Sequence, residues 1–354
     1  MGLTDLKFKP VIKRSIVLIL IVGLALALFA GCGGKAPSNG PDVCADGRAR
    51  PSSCGRLKVE GGRLCAENGE AVMLRGVSLN DMMVSESFIN DALFGELARD
   101  GGVNVCRFPV YTYGVGIIGY CTSGDRERYE RDVEKGVELA KLHDMYALID
   151  WHILSDGDPN THADEAERFF AMMAEKFAGE KHVLYEICNE PNGVDWAAVK
   201  RYAERIIPVI REKDPDSVII VGDPDWSKDL ASVAADPLDF ENIMYSLHFY
   251  SATHGEEVRG AAERAMEGGL PVFVTEFGIT ASSGDVPRDI ESADKWIDLL
   301  EHEGVSYCLW SLAKSREASS MVRFTVPKYS GFEESDWSES GAWLFETIAK
   351  HDGR

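Results

Sequence analysis

Two glutamates, Glu190 and Glu276, stand near the ends of apolar segments, where carboxylates are uncommon. Glu190 closes the run LYEICNE, and Glu276 closes the run VFVTE. A buried carboxylate needs a partner or a task, because its desolvation is costly. When two such groups meet, the charge of one raises the pKa of the other, so that they can differ in protonation. The pair could therefore supply a general acid and a nucleophile to one reaction, as glycoside hydrolysis requires.

A third glutamate, Glu186, lies in the same run but has a different expected position. Residues 186, 188 and 190 have one parity, so they project from the same face of a strand. Glu186 would lie four residues, about 13 Å, deeper than Glu190. We predict that Glu186 is a structural carboxylate paired inside the fold, whereas Glu190 and Glu276 reach a common opening.

Eight apolar segments of strand length alternate with amphipathic segments from Gly55 onward. The strand candidates are 71–78, 103–110, 146–152, 182–190, 217–222, 242–250, 271–278 and 305–312. A final helix is predicted over 338–352, with a serine at its start. Eight strands that are each followed by a helix favour an α/β fold, the (β/α)8 or TIM barrel, over 55–354. An open doubly wound sheet is the alternative, but the first strand lacks the glycine-rich loop that such sheets use to bind phosphate.

Hydrogen-bonding or aromatic side chains occur at or near the C-terminal ends of six of these strands. They are Arg107, His152, Asn189 with Glu190, His248 with Tyr250, Glu276 and Trp310. Taken singly, each is explained by packing or by a satisfied core hydrogen bond. Because barrel active sites are built at this end from several strands, the six together indicate a site.

Seven short motifs follow one another along the chain. They are LRGVS (74–78), Arg107 with Tyr111, IDWHILSDGDPN (149–160), YEICNEPNG (185–193), HFYSATHG (248–255), TEFG (275–278) and WSL (310–312). In this order they resemble glycoside hydrolase family 5, and in particular its bacterial endoglucanase, or cellulase, branch. The resemblance implies a single catalytic (β/α)8 domain that hydrolyses internal β-1,4-glucosidic bonds of cellulose or a related β-glucan. It implies neither a cofactor nor a metal.

The resemblance also implies a role for each site residue. Glu190 would be the general acid/base and Glu276 the nucleophile of a retaining reaction, with carboxyl groups about 5–5.5 Å apart. Arg107 would hold Glu276 ionised through charge-assisted hydrogen bonds, and Tyr250 would contact Glu276. Further substrate contacts are expected from Tyr111, His152, Asn189, Trp226, His248 and Trp310. Of these, Asn189 would bind the sugar 2-hydroxyl, and His152 and His248 would form hydrogen bonds in the −1 subsite. Trp310 would be the stacking floor for a sugar ring, and Trp226 would be an aromatic residue of the leaving-group side.

Three positions depart from the pattern of the branch, all on the glycone side. Asn80, Val84 and Ser315 stand where a histidine, a stacking tryptophan and a lysine are usual, and Lys314 or Arg316 could replace that lysine. Losing one stacking ring costs on the order of 1 kcal/mol, less than losing a catalytic group. We therefore expect retained chemistry with altered specificity, and mixed-linkage glucan, xyloglucan and mannan are alternative substrates. A non-catalytic glycan-binding protein is the alternative from another class, although it would not need both glutamates.

The first 54 residues are predicted to direct export of the protein and to tether its folded domain to a membrane. A basic head precedes the apolar run 15–31 and Cys32, a layout that resembles a bacterial lipoprotein signal peptide (1–31) with lipidation at Cys32. Residues 32–54 are predicted to be a flexible linker, since Gly, Pro and Ser are frequent there. The protein would then be an extracellular, cell-surface lipoprotein that meets the membrane only through this anchor. An uncleaved membrane anchor is the alternative.

Composition excludes several classes of partner. The net charge of −21 argues against nucleic acids and polyanions and suits a neutral ligand. No CxxC pair is present, and a calcium-like loop at 156–167 has Thr161 where the turn requires glycine, so no metal is expected.

Cys44 and Cys54 flank a short loop and are predicted to form a disulfide. The chain is expected to act as a monomer.

Overall fold

A closed barrel of eight parallel strands forms the centre of the molecule, in a computed structural model that describes residues 47–113, 119–122 and 125–352. Neighbouring strands pair in chain order, and the last pairs with the first. The strands are β1 (Arg75–Leu79), β2 (Val105–Tyr111), β3 (Tyr146–His152), β4 (Val183–Glu186), β5 (Ile219–Val221), β6 (Ile243–Tyr250), β7 (Val272–Gly278) and β8 (Tyr307–Leu312). The predicted (β/α)8 barrel is confirmed.

A helix follows each strand and packs outside the barrel, as expected for right-handed β–α–β units. These helices are α1 (Asp91–Glu96), α2 (Arg126–Leu142), α3 (Ala163–Lys176), α4 (Trp196–Lys213), α5 (Leu230–Ala235), α6 (Glu256–Glu267), α7 (Ile290–Glu303) and α8 (Glu339–His351). The predicted final helix is α8, and the Ser338 side chain caps it by accepting a hydrogen bond from the Gly341 N–H. Shorter helical turns occur at Pro51–Cys54, Met82–Ser85, Glu86–Phe88, Pro159–His162, Pro224–Ser227 and Glu334–Asp336, and a π-helical turn at Leu97–Gly101.

The strand predicted over 182–190 is shorter in the structure, where β4 ends at Glu186. Beyond it the backbone keeps isolated bonds to both neighbours, from Ile187 N to Ile220 O (2.9 Å) and from Asn189 N to Trp151 O (3.1 Å). Pro191 has no N–H and cannot extend a ladder, so the chain leaves the sheet here. Glu190 therefore projects from a loop at the mouth of the barrel, and its position does not follow from strand alternation.

Residues just before Gly55 pack on the barrel, so the folded domain begins earlier than the predicted linker boundary. Arg48 Nε lies 2.9 Å from Asp352 Oδ2, just beyond the end of α8. Ala49 and Cys54 are buried in a cluster with Leu57, Leu64 and side chains from the N-terminal halves of the strands. A two-stranded hairpin (Lys58–Glu60 and Arg63–Cys65) completes this cover of the barrel's N-terminal end.

The predicted signal peptide, Cys32 and Cys44 lie outside the described residues, so the lipidation and the disulfide stay predictions. Within the described ranges, no helix combines the length and apolar character needed to cross a bilayer.

Candidate active site

One arginine, Arg107 on β2, connects carboxylates from three other strands at the centre of the barrel mouth. Its Nε donates to Glu186 Oε2 (2.7 Å) and its Nη1 to Glu276 Oε2 (3.1 Å). Its Nη2 donates to Asn189 Oδ1 (2.6 Å) and lies 2.9 Å from Asp150 Oδ2. Burial alone would lower the pKa of the guanidinium, but these carboxylates raise it well above its usual value. Arg107 is thus a permanent buried cation, which stabilises the ionised form of the acids around it.

Glu276 is fixed on its other oxygen by a tyrosine. The hydroxyl of Tyr250, on β6, donates to Glu276 Oε1 at 2.7 Å. The Tyr250 ring lies across Gly278, where an added Cβ would come within 2.7 Å of the ring. The glycine of the TEFG motif therefore leaves room for the ring that orients Glu276. Arg107 and Tyr250 each donate to one oxygen of Glu276, which fixes the orientation of its carboxyl group.

Glu190 has a different environment, as the task of a general acid would require. Its Oε1 lies 2.9 Å from His248 Nδ1, and its side chain is 12% exposed. Burial raises the pKa of Glu190 to about 7, although Arg107 and Lys228 act in the opposite direction. Burial also lowers the pKa of His248 to about 4, so this imidazole is neutral at pH 7.

The two glutamates and His248 converge on one point. One ligand atom from each of Glu190, Glu276 and His248 lies within 4.8 Å of the other two. At least one oxygen of each carboxyl group is thus close enough to act on the two sides of the same bond. Among the described residues, these three form the group that could hold a metal ion.

Aromatic rings line one side of the glutamates. The His152 ring stacks on Tyr111 (centroids 4.1 Å apart) and lies parallel to Trp310 (5.4 Å). His152 Nδ1 lies 2.7 Å from Asp150 Oδ2, and burial lowers the pKa of His152 to about 3. The flat, neutral rings of His152 and Trp310 offer an apolar floor to a sugar ring while their orientation is fixed from beneath.

A cavity of about 490 Å³ extends from Glu190 on the other side. Trp226, which is 46% exposed, lines it on an irregular turn in which Asp225, Trp226 and Ser227 have positive φ. Lys228 also lines the cavity, with its ammonium 5.1 Å from the centroid of the Trp226 ring. The size suits a small ligand bound beside Glu190.

All ten predicted catalytic and substrate-binding residues lie in this mouth or border its cavity. The side-chain amide of Asn189 is hydrogen-bonded within the protein at both ends. Its Oδ1 accepts from Arg107 Nη2, and its Nδ2 donates to Ile153 O (3.0 Å). Sequence reasoning missed Asp150 and Thr275, which contact His152 and His248. The sequence did contain a signal for each of them. Asp150 lies two residues before His152 and so on the same strand face, and Thr275 directly precedes Glu276.

The glycone-side departures leave an open region. Val84 is 63% exposed and supplies no ring. The ammonium of Lys314 lies 3.7 Å from the Tyr329 ring centroid, and the guanidinium of Arg316 lies 4.5 Å from the Phe324 ring centroid. Both cations thus contact rings of the loop that follows β8, and the replacement of the usual lysine by either of them stays a prediction.

Comparison with known proteins agrees with this geometry. Residues 65–316 match the family model "Cellulase (glycosyl hydrolase family 5)". Endoglucanase A of Butyrivibrio fibrisolvens is 41% identical over 300 residues, which cover 84% of this chain and 69% of that protein. An endoglucanase of Clostridium saccharobutylicum is 38% identical over 302 residues, which cover 85% of this chain and 66% of that protein. The chain spans from 57% to 74% of the length of such curated relatives.

A solved structure of an endoglucanase catalytic domain is also similar to this chain. The catalytic domain of Thermobifida fusca endoglucanase Cel5A, in complex with cellotetraose, is similar with a TM-score of 0.80 and 36% identity. The match covers 84% of this chain and 98% of that chain. The family model and these relatives show that the chain belongs to glycosyl hydrolase family 5 and is a glycoside hydrolase.

Proposed function

We propose that the protein is a retaining endo-β-1,4-glucanase, with Glu190 as general acid/base and Glu276 as nucleophile. The observation that carries the proposal is the contrast between the two glutamates. Glu276 receives hydrogen bonds from Arg107 and Tyr250, whereas burial raises the pKa of Glu190 to about 7. One carboxyl group is therefore prepared as an anion and the other as an acid, within 4.8 Å.

In the first step, Glu276 would attack the anomeric carbon while Glu190 gives its proton to the leaving oxygen. The new bond joins Glu276 Oε to the sugar, the glycosidic bond breaks, and the leaving chain departs with the proton. In the second step, the ionised Glu190 would take a proton from water, and the resulting hydroxide would displace Glu276. Two inversions at the same carbon leave the configuration unchanged.

The leaving chain would occupy the cavity beside Trp226, and the −1 sugar would lie on Trp310. Relatives named endoglucanase, and the Thermobifida structure with cellotetraose, favour a β-1,4-glucan as substrate. The exposed Val84 favours a shift in glycone specificity, so mixed-linkage glucan, xyloglucan and mannan remain candidates.

The decisive experiment is reducing-sugar release by the protein from residue 33 onward. Carboxymethyl cellulose, barley β-glucan, xyloglucan and mannan are the substrates, and Glu276→Gln is the control. We expect a fall in viscosity that precedes most sugar release, and a product whose first NMR signal is the β-anomer. Binding without release on any of the polymers would show that the protein is a glycan-binding member instead.

We also propose that the chain is exported and held at the cell surface by a lipid on Cys32. The basic head, the apolar run and the cysteine support this. Labelling of cells with a palmitate analogue should mark the wild type and not Cys32→Ser. Equal label on both would refute the anchor.

A further inference from the structure

Thr275 lies beside the nucleophile in sequence, yet its hydroxyl points to the acid side of the site. Its Oγ1 donates to Glu186 Oε1 at 2.7 Å and lies 2.8 Å from His248 Nε2. Ser246 Oγ makes a short contact with the same oxygen. Thr275, Ser246 and Glu186 are fully buried, and His248 is nearly so. These side chains are therefore closed off from bulk solvent, and their hydrogen-bond partners are one another.

The hydroxyl has one hydrogen, and three polar neighbours compete for it. Burial raises the pKa of Glu186, whereas Arg107 acts in the opposite direction and donates from Nε to Glu186 Oε2 at 2.7 Å. We assign the hydrogen of Thr275 to Glu186 Oε1 because an oxygen of a guanidinium-paired carboxyl group is the strongest acceptor of the three. Thr275 Oγ1 then has two lone pairs, which accept from Ser246 and from His248. His248 must therefore carry its hydrogen on Nε2.

That assignment decides what the other ring nitrogen can do. The lone pair of a neutral imidazole is then on Nδ1, which faces Glu190 Oε1 at 2.9 Å. Nδ1 can accept a hydrogen from the protonated carboxyl of Glu190, but it has none to donate to the carboxylate. A hydrogen bond to the neutral form of an acid disfavours its ionisation.

We propose that Thr275 is a positioning residue that fixes His248 as the Nε2–H tautomer and thereby keeps Glu190 protonated for catalysis. The inference rests on the proposed role of Glu190 as general acid. The same charged and titratable groups surround the site in a Thr275 variant, so they do not account for a change caused by the hydroxyl. These groups are Arg107 and Tyr111 on β2, Asp150 and His152 on β3, Glu186 on β4, Tyr250 on β6, Glu276 on β7, and Asp225, Lys228 and His254 beside the cavity.

The test compares Thr275→Val, which keeps the shape but removes the hydroxyl, with Thr275→Ser, which keeps the hydroxyl. Nitrogen-15 NMR of the full chain with labelled histidine reports which ring nitrogen carries hydrogen, and His248→Asn assigns the signal. We expect the Nε2–H tautomer of His248 in the wild type and in Thr275→Ser. In Thr275→Val, Nε2 loses its acceptor, so the hydrogen should move to Nδ1.

The kinetic readout follows from the same change. An Nδ1–H would donate to ionised Glu190 and lower its pKa, so the alkaline limb of kcat/KM should move to lower pH by about one unit. Near pH 7 this is about a fivefold loss that Thr275→Ser does not show. An Nδ1–H or a cationic His248 in the wild type at pH 7 would overturn the proposal, as would superimposable pH profiles for wild type and Thr275→Val.

The NMR result is independent of hydrolysis, so the two proposals can fail separately. If no polymer is cleaved but His248 changes tautomer in Thr275→Val alone, the assigned hydrogen-bond chain stands and the glucanase proposal falls. If polymers are cleaved and the tautomer is unchanged, the role of Thr275 falls and the glucanase stands.

Discussion

At the scale of single residues, Glu190 and Glu276 have the same side chain but different surroundings. Glu276 meets two donors, Arg107 and Tyr250, whereas Glu190 meets a neutral histidine and a largely buried environment. Environment therefore assigns the roles, and substitutions on the two sides should fail in different ways.

Glu190→Ala should lose acid assistance but keep the nucleophile. We expect cleavage of β-glucan to fall by about 10²–10⁴-fold, while cleavage of a dinitrophenyl cellobioside falls much less, because that leaving group needs no proton. Added azide should accelerate the variant and yield a β-glycosyl azide. Glu276→Ala is the matched control, and any azide rescue to the β-product there would contradict the assignment.

The pH dependence should report the same group. Burial raises the pKa of Glu190 to about 7. If Glu190 acts as the proposed general acid, its protonated form is the active one, so kcat/KM should decline as pH rises through about 7. The alkaline limb should be absent in Glu190→Ala when the activated substrate is used. A limb at the same pH in both proteins would assign it to another residue.

Arg107→Met should cost both stability and activity. Without the guanidinium, Glu186, Glu276 and Asp150 are buried acids with no cation among them, and breaking such a pairing typically costs about 3–5 kcal/mol. Urea denaturation would measure the loss. Arg99→Met, at a residue whose side chain is 70% exposed, should unfold like the wild type. Equal stability of the wild type, Arg107→Met and Arg99→Met would show that Arg107 does not stabilise the fold through these ion pairs.

At the scale of elements, sequence periodicity predicted the eight strands and the final helix but misplaced the start of β1, which begins at Arg75, and the end of β4. The prediction over 146–152 coincides with β3, because this strand is buried on both faces and ends at His152. Over 182–190 the apolar residues continue beyond the ladder, so hydrophobicity could not show where pairing stops. Asp150 was missed although it lies two residues before His152 on the same strand face. Its pairing with Arg107 is made across the sheet and could not be predicted from local sequence.

The helices follow local rules that can be tested one at a time. Asp195 caps α4 by accepting from the Ala198 N–H at 2.9 Å. Asp195→Ala should lower the free energy of unfolding by about 1 kcal/mol, whereas Asp195→Ser should largely preserve it. Chemical denaturation of the three proteins measures this, and an unchanged Asp195→Ala would mean that the cap contributes nothing.

For the whole molecule, the N-terminal segment and the end of α8 meet at the closed end of the barrel. Arg48 contacts Asp352, and Asp352 Oδ1 also lies 3.4 Å from Arg75 Nη1. The segment before Gly55 looked like linker because it has few apolar residues, and its few buried contacts are with distant parts of the chain. Only the fold reveals that these residues belong to the domain.

A chain that starts at residue 55 should therefore be less stable than one that starts at residue 47. We expect the shorter chain to melt about 5 °C lower, because it loses the buried Arg48–Asp352 pair and the apolar cover of the barrel. Activity at 25 °C should be equal, since the segment lies at the end opposite the site. Coincident melting curves would place the boundary at Gly55 after all.

The arginine at the centre of the mouth has a consequence for the order in which the molecule matures. Arg107 and Glu276 are 169 residues apart in sequence and meet only when β7 has joined the sheet. Until then the guanidinium and the acids of β3 and β4 lack their full set of partners. In a refolding chain, or one emerging from a ribosome, we therefore expect Glu276 to reach its contact with Arg107 only after β7 has paired with its neighbours. The return of hydrolytic activity would therefore report a late step of folding. Partly folded chains would be inactive even where their strands are already formed.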